Sequence, residues 1–239
     1  MSDTLEHPSQ RFLAHHFENQ AQQFDAGKLG MWLFLVQEIL FFSGLFCVYA
    51  IYRANHPEIF AYADHFLDRR MGAINTTVLI FSSFTIAWAV RAVQKNQRRL
   101  ALALLSITLL CACGFLGIKY VEYRHKWEDG LLPGRHYHPT VHGEAAAHGT
   151  ELASLGVVGE AKQVVPRNVH IFFGIYFAMT GLHAIHVIIG MGIIIWMIIR
   201  TWRGDFGESY YGPIEYTALY WHLVDLVWIY LFPLLYLIH

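Results

Sequence analysis

Long runs of apolar residues, broken by short polar connections, dominate the chain from residue 29 onward. A helix crossing a hydrocarbon layer about 30 Å thick needs about 20 mostly apolar residues at about 1.5 Å each. Five runs meet that length: Leu29–Ile51, Ala73–Val90, Leu100–Ile118, Val169–Ile199 and Thr217–Ile238. They are apolar on every face, without the alternation of a transmembrane barrel, and hydrocarbon favours helices because it offers backbone groups no partner. The pattern predicts an all-α fold, a polytopic transmembrane bundle of five helices. Residues 1–28 form a polar cytoplasmic segment before it, without the basic start and short apolar core of a signal peptide. Residues 29–239 form the membrane domain. The run KYVEYRHKWEDG after the third span continues that helix into water as far as Gly130, a residue suited to ending it.

Composition agrees with that solvent. The chain of 239 residues is 55% hydrophobic and only 15% charged, with a net charge of −1. A water-facing surface usually requires about 25% charged residues. The lack of a basic excess excludes nucleic acid as a partner. Lys and Arg divide almost evenly between the two sides of the five spans. The dense short loop at Arg91, Lys95, Arg98 and Arg99 then places the N-terminus in the cytoplasm, because short loops weigh most in orientation. Cys47, Cys111 and Cys113 lie inside spans and are expected to pack as small apolar residues.

The connection at 124–166 is long and carries His125, His136, His138, His142 and His148. A copper or zinc loop is one reading. A solvent-exposed segment is preferred, because no Cys accompanies the histidines and their spacing fits no closed zinc site.

Ionisable groups inside spans are costly and so are candidate functional residues. Glu38 sits near the middle of the first span, either as a proton carrier or as a carboxyl that locks helix packing. His183 and His186 are three apart on the fourth span, as are His222 and Asp225 on the fifth, so each pair shares a helix face. His222 with Asp225 forms a candidate pair that satisfies itself, orients an imidazole or relays a proton. On that pairing Asp225→Asn would disturb assembly before chemistry. Membrane histidines also ligate haem, so His183 or His186 opposite His222 keeps a membrane haem b cytochrome open as a reading of a different class.

Several segments together resemble subunit III of the haem–copper oxidases. LYWHLVDLVWIYLF (219–232) is similar to the last-helix signature of that family, and TGLHAIHVIIG (180–190) to its penultimate helix, with His183 and His186 in place. MWLFLVQEILFFSGLF (31–46) resembles the helix bearing the family's buried carboxyl, here Glu38. INTTVLIFSS (74–83) and YVEY (120–123) resemble two further segments, the second placing its acid at Glu122. The resemblance implies a non-redox structural subunit of a proton-pumping cytochrome c oxidase, with no catalytic centre and no haem, copper or other metal in this chain. It further implies direct contact with subunit I, association with subunit II and other subunits, bound structural phospholipids and support of proton uptake. Haem and copper would reside in partner subunits. The expected location is the bacterial cytoplasmic (inner) membrane, with the C-terminus in the periplasm. Glu38, Glu122, His183, His186, His222 and Asp225 become buried polar or proton-environment groups. Subunit III of a quinol oxidase, or a nitric oxide reductase accessory protein, is the close alternative. The chain resembles the five-helix type, without the first two helices of seven-helix members. Its 124–166 loop offers a contact for cytochrome c or a neighbouring complex.

Overall fold

The computed structural model describes residues 14–15, 17–64, 67–128, 169–208 and 210–237. Among these residues there are six helices and no named strand: α1 (Gln20–Asn55), α2 (Pro57–Asp64), α3 (Arg69–Gln94), α4 (Arg98–Glu128), α5 (Val169–Arg203) and α6 (Gly212–Tyr236). All except α2 are long and apolar enough to cross a membrane. The chain is a multi-pass, all-α membrane protein, as its apolar runs require.

Helix ends differ from span ends for local reasons. α1 begins at Gln20, inside the stretch expected to be a separate polar segment. Asn19 caps it by accepting the Gln22 backbone N–H at 2.8 Å. Its first turns are then held to the start of α6. Tyr216 donates to the Phe24 carbonyl at 2.9 Å, the Phe24 and Tyr216 rings stack at 6.0 Å, and Lys28 pairs with Glu215 at 3.2 Å. Asp68 caps α3 through the N–H groups of Arg70 and Met71. A left-handed Asn96 turns the chain from α3 to α4, and Gly204, at φ 86°, ends α5.

α2 was not expected. It opens on Pro57, whose fixed φ suits the first helical position. Ile59 and Phe60 are buried, and Phe60 meets Tyr49 and Phe172 edge-on at 5.2 and 5.0 Å.

The described chain forms two compact units, and each of the five long helices contributes residues to both. The first holds residues up to 42, 77–114 and 185–227. Its core is built on Trp221, which is fully buried against Gly190. A Cβ on Gly190 would stand 2.8 Å from the indole, so only glycine permits that approach. The second unit holds 43–76, 115–184 and residues from 228 on. There Trp228 packs edge-on to Phe115 at 4.9 Å, and Gly72 leaves room for Phe232. α6 has the most covered apolar stretch, 56% buried, and α1 the least, 17%.

Candidate functional site

The acids and histidines singled out from the sequence fall into distinct settings. In the first unit, α1 and α5 bring Glu38 to His186, with Oε2 to Nε2 at 3.1 Å. Their side chains are only 13% and 16% exposed. Phe42 lies edge-on to the imidazole at 5.2 Å, and the Tyr220 hydroxyl donates to the His186 carbonyl at 3.0 Å. A carboxyl and an imidazole in this contact can share or exchange one proton with little heavy-atom movement. Two residues distant in sequence thus make a pair that their positions along the chain did not announce.

His222 and Asp225 do not pair with each other, contrary to the expectation from their spacing. Both point at α3, where two adjacent serines separate them. His222 Nδ1 lies 2.6 Å from Ser83 Oγ, and Asp225 Oδ2 lies 3.4 Å from Ser82 Oγ. Ser82 also accepts from the Trp221 indole at 3.0 Å and donates to the Leu79 carbonyl. Here the shared helix face turns both side chains toward α3, not toward each other. Asp225 is 2% exposed, and its Oδ1 has no hydrogen-bond partner among the described residues.

In the second unit His183 is 1% exposed, edge-on to Phe115 at 5.6 Å and tilted against Trp228 at 5.2 Å. Glu122 lies at the centre of a denser group on α4, α5 and α6. Its Oε2 accepts from Lys119 at 2.7 Å. Its Oε1 accepts from Lys126 at 2.9 Å, Tyr176 at 2.7 Å and Tyr236 at 2.5 Å. Such charge-assisted bonds are the strong ones. Lys119 also donates to the Tyr236 hydroxyl at 2.6 Å and lies 4.5 Å from the centre of the Trp228 ring. Lys119, Glu122 and Lys126 are 5%, 3% and 3% exposed.

From sequence alone this stretch of α4 was expected to stand in water. The helix does continue to Glu128, but the face bearing Lys119, Glu122 and Lys126 is buried. The lysines stand at −3 and +4 from Glu122, a spacing that sets them on its face and was legible. Tyr176 and Tyr236 carried no such signal, because they lie 54 and 114 residues away from it.

One other expectation changes. Cys47 and Cys113 are exposed on their helices instead of packed inside them, and Cys111 is half-buried. Arg124–Glu128 form the last turn of α4, as the expected continuation of the third span toward Gly130 required, with an exposed Arg124–Glu128 pair at 2.9 Å. The remainder of the His-rich stretch, from residue 129 to 166, lies outside the described residues. Among the described residues no cluster of three or more His, Cys, Asp or Glu side chains is arranged to hold a metal ion. His186 and His222, both in the first unit, bond to different side chains on different helices.

The sequence matches the model of the family "Cytochrome c oxidase subunit III" over residues 10–130 and 165–239. It is 29% identical over 211 residues to the cytochrome c oxidase subunit 3 of Thermostichus vulcanus, covering 88% of this chain and 86% of that one. It is 28% identical over 209 residues to the quinol oxidase subunit 3 of Bacillus spizizenii, covering 87% and 85%. A protein of Aeropyrum pernix named heme-copper oxidase subunit I+III is 26% identical over 220 residues, which cover 90% of this chain and 23% of that larger polypeptide. The matched segments include every helix described above, and with them Glu38–His186, the paired serines of α3 and the Glu122 group. This five-span chain therefore belongs to the cytochrome c oxidase subunit III family.

Proposed function

We propose that the chain is the non-redox structural subunit of an oxygen-reducing, proton-pumping oxidase that takes electrons from cytochrome c. It flanks subunit I in a bacterial cytoplasmic membrane with its N-terminus in the cytoplasm. Haem and copper belong to the partner subunits on this reading. The chain's own polar groups divide between two roles. The Glu122 group and the α3 serines lock the bundle, and Glu38 with His186 tunes the proton environment. The observation that carries the second role is the 3.1 Å Glu38–His186 contact on helices whose other outward residues are overwhelmingly apolar. A carboxyl would be costly there without a partner; beside an imidazole it forms a two-site proton holder.

Subunit I is favoured as the direct neighbour by the A. pernix relative, whose name joins the two subunits in one polypeptide. Phospholipid is favoured by an apolar groove of about 340 Å³ in the second unit. Leu45 and Val48 of α1 and Ile171, Ile175, Ala178 and Met179 of α5 line it, with His170 at hand for a headgroup.

The test is Glu38→Gln in the intact complex. Initial oxygen consumption should stay near that of the unaltered enzyme, while turnover-dependent inactivation and the pH dependence of proton uptake change. Complete loss of steady-state activity with normal assembly would overturn the reading. A Soret band at stoichiometric strength in the purified single chain would overturn the non-redox assignment. Reduction of the purified complex by quinol but not by cytochrome c would move the chain to the quinol-oxidising branch.

A further inference from the structure

In the second unit one amide and one ammonium keep unspent hydrogen-bonding capacity. Asn75 of α3 is fully buried, at 0% exposure, and neither its Oδ1 nor its Nδ2 has a hydrogen-bond partner among the described residues. Buried polar side chains are rarely left so, because an unmet amide forfeits the bonds it makes in water. With no exposed surface, Asn75 is also out of reach of lipid or a neighbouring chain.

Its own helix shows what lies around it. Gly72, three residues earlier and so on the same face of α3, packs against Phe232 and Tyr236 of α6. Thr76, the next residue, accepts from the Trp228 indole at 3.1 Å. Asn75 therefore belongs to the α3–α6 contact, along the stretch from Trp228 to Tyr236. The hydroxyls there have no proton to give it. Thr76 donates to the Gly72 carbonyl, and Tyr176 and Tyr236 both donate to Glu122.

Lys119 is different. Its Nζ lies 4.5 Å from the centre of the Trp228 ring and 5.1 Å from that of Tyr236, against the same stretch of α6. An ammonium has three N–H donors. Lys119 spends one on Glu122 and one on Tyr236, which leaves the third. Lys126, the other ammonium of the group, lies over Tyr176 instead. A spare N–H and an unbonded amide thus meet the same part of α6 without bonding each other.

We propose that an internal water joins the two, accepting from Lys119 Nζ and donating to Asn75 Oδ1. Internal waters of this kind serve buried polar groups that have no direct partner and form part of the structure. This one ties α3 into a group otherwise built on α4, α5 and α6. It also gives the excess positive charge beside Glu122 a polar neighbour.

The first test is a density map of the unaltered protein, purified from its native membrane with its accompanying subunits, at a resolution that shows ordered water. A peak should stand within about 3.2 Å of both Lys119 Nζ and Asn75 Oδ1. No peak, or one that reaches only one of the two, overturns the proposal. The second test is a double-mutant cycle read as the thermal midpoint of this subunit. Asn75→Leu keeps the volume and removes the amide, so it strands the third N–H of Lys119 and should lower the midpoint by about 3–8 °C. In a Lys119→Met background the same change should move it by less than about 1 °C. A midpoint that is unchanged or raised by Asn75→Leu alone would mean a bare amide and overturn the bridge. An equal fall in both backgrounds would mean a steric effect of leucine, and overturns it as well.

Discussion

Glu122 is one carboxylate between two buried ammonium groups, and that imbalance predicts an unusual order of mutational cost. At N–O separations of 2.7 and 2.9 Å, each attraction amounts to about 6 kcal/mol at an effective dielectric of about 20. Desolvation of each ion takes back several kcal/mol, so the intact trio contributes little net stability. Removing a single member is a different matter. Glu122→Gln leaves two desolvated ammonium groups facing each other without their counter-ion, and should cost about 3–5 kcal/mol. Lys126→Met leaves a balanced Lys119–Glu122 pair, with Tyr176 and Tyr236 still donating to the carboxylate, and should cost less than about 2 kcal/mol. Lys119→Met should fall between the two, because Lys119 also lies 4.5 Å above Trp228, a contact of about 2 kcal/mol when desolvated. For a chain of this size each kcal/mol moves the thermal midpoint by about 2–4 °C, so Glu122→Gln should lower it by about 6–20 °C. The assay is the soluble fraction of this subunit after stepwise heating of the detergent-solubilised complex. A Glu122→Gln midpoint within about 2 °C of the parent, or a larger fall for Lys126→Met than for Glu122→Gln, would refute the argument that unbalanced positive charge dominates.

Two further predictions concern the first unit and use the same heating assay. Gly190→Val should destabilise the subunit by about 1–3 kcal/mol through overpacking, since even its Cβ would meet the Trp221 indole at 2.8 Å; a neutral result would mean that Trp221 can move aside. Ser83→Ala should cost about 1–3 kcal/mol by leaving the His222 nitrogen unpaired, whereas Asp225→Asn should cost less than about 1 kcal/mol, because His222 keeps Ser83 and Asp225 holds Ser82 at only 3.4 Å. The reverse order would restore a direct His222–Asp225 pairing.

The Glu122 group shows how far local spacing reaches. Lys119 and Lys126 lie within one turn of Glu122 on α4, so a helical reading brings them together without knowledge of the fold. The same rule misled at His222 and Asp225, where a shared face produced two parallel contacts to neighbouring serines. Ser82 and Ser83 belong to a segment already noted for its resemblance to the family. Nothing within α3 marked them as partners of residues about 140 positions away. α2 was legible in part, through Pro57 at a first helical position and Glu58 in the first turn, but eight residues are too few to stand out from a connection. The start of α1 was hidden by its polarity: its first turns are held by aromatic contacts to α6, not by an apolar stripe of their own.

Solvent, the number of membrane spans and family were settled by the order of residues along the chain. Apolar length is a one-dimensional property, and a bilayer reads it directly; the family motifs are likewise local strings. Which buried acid meets which base was settled by folding. Glu38 and His186 are 148 residues apart, and their contact depends on how α1 and α5 pack. Side-chain pairing inside the bundle follows helix packing, and packing is decided by surfaces such as the Gly190–Trp221 contact, whose two halves have no pattern in common.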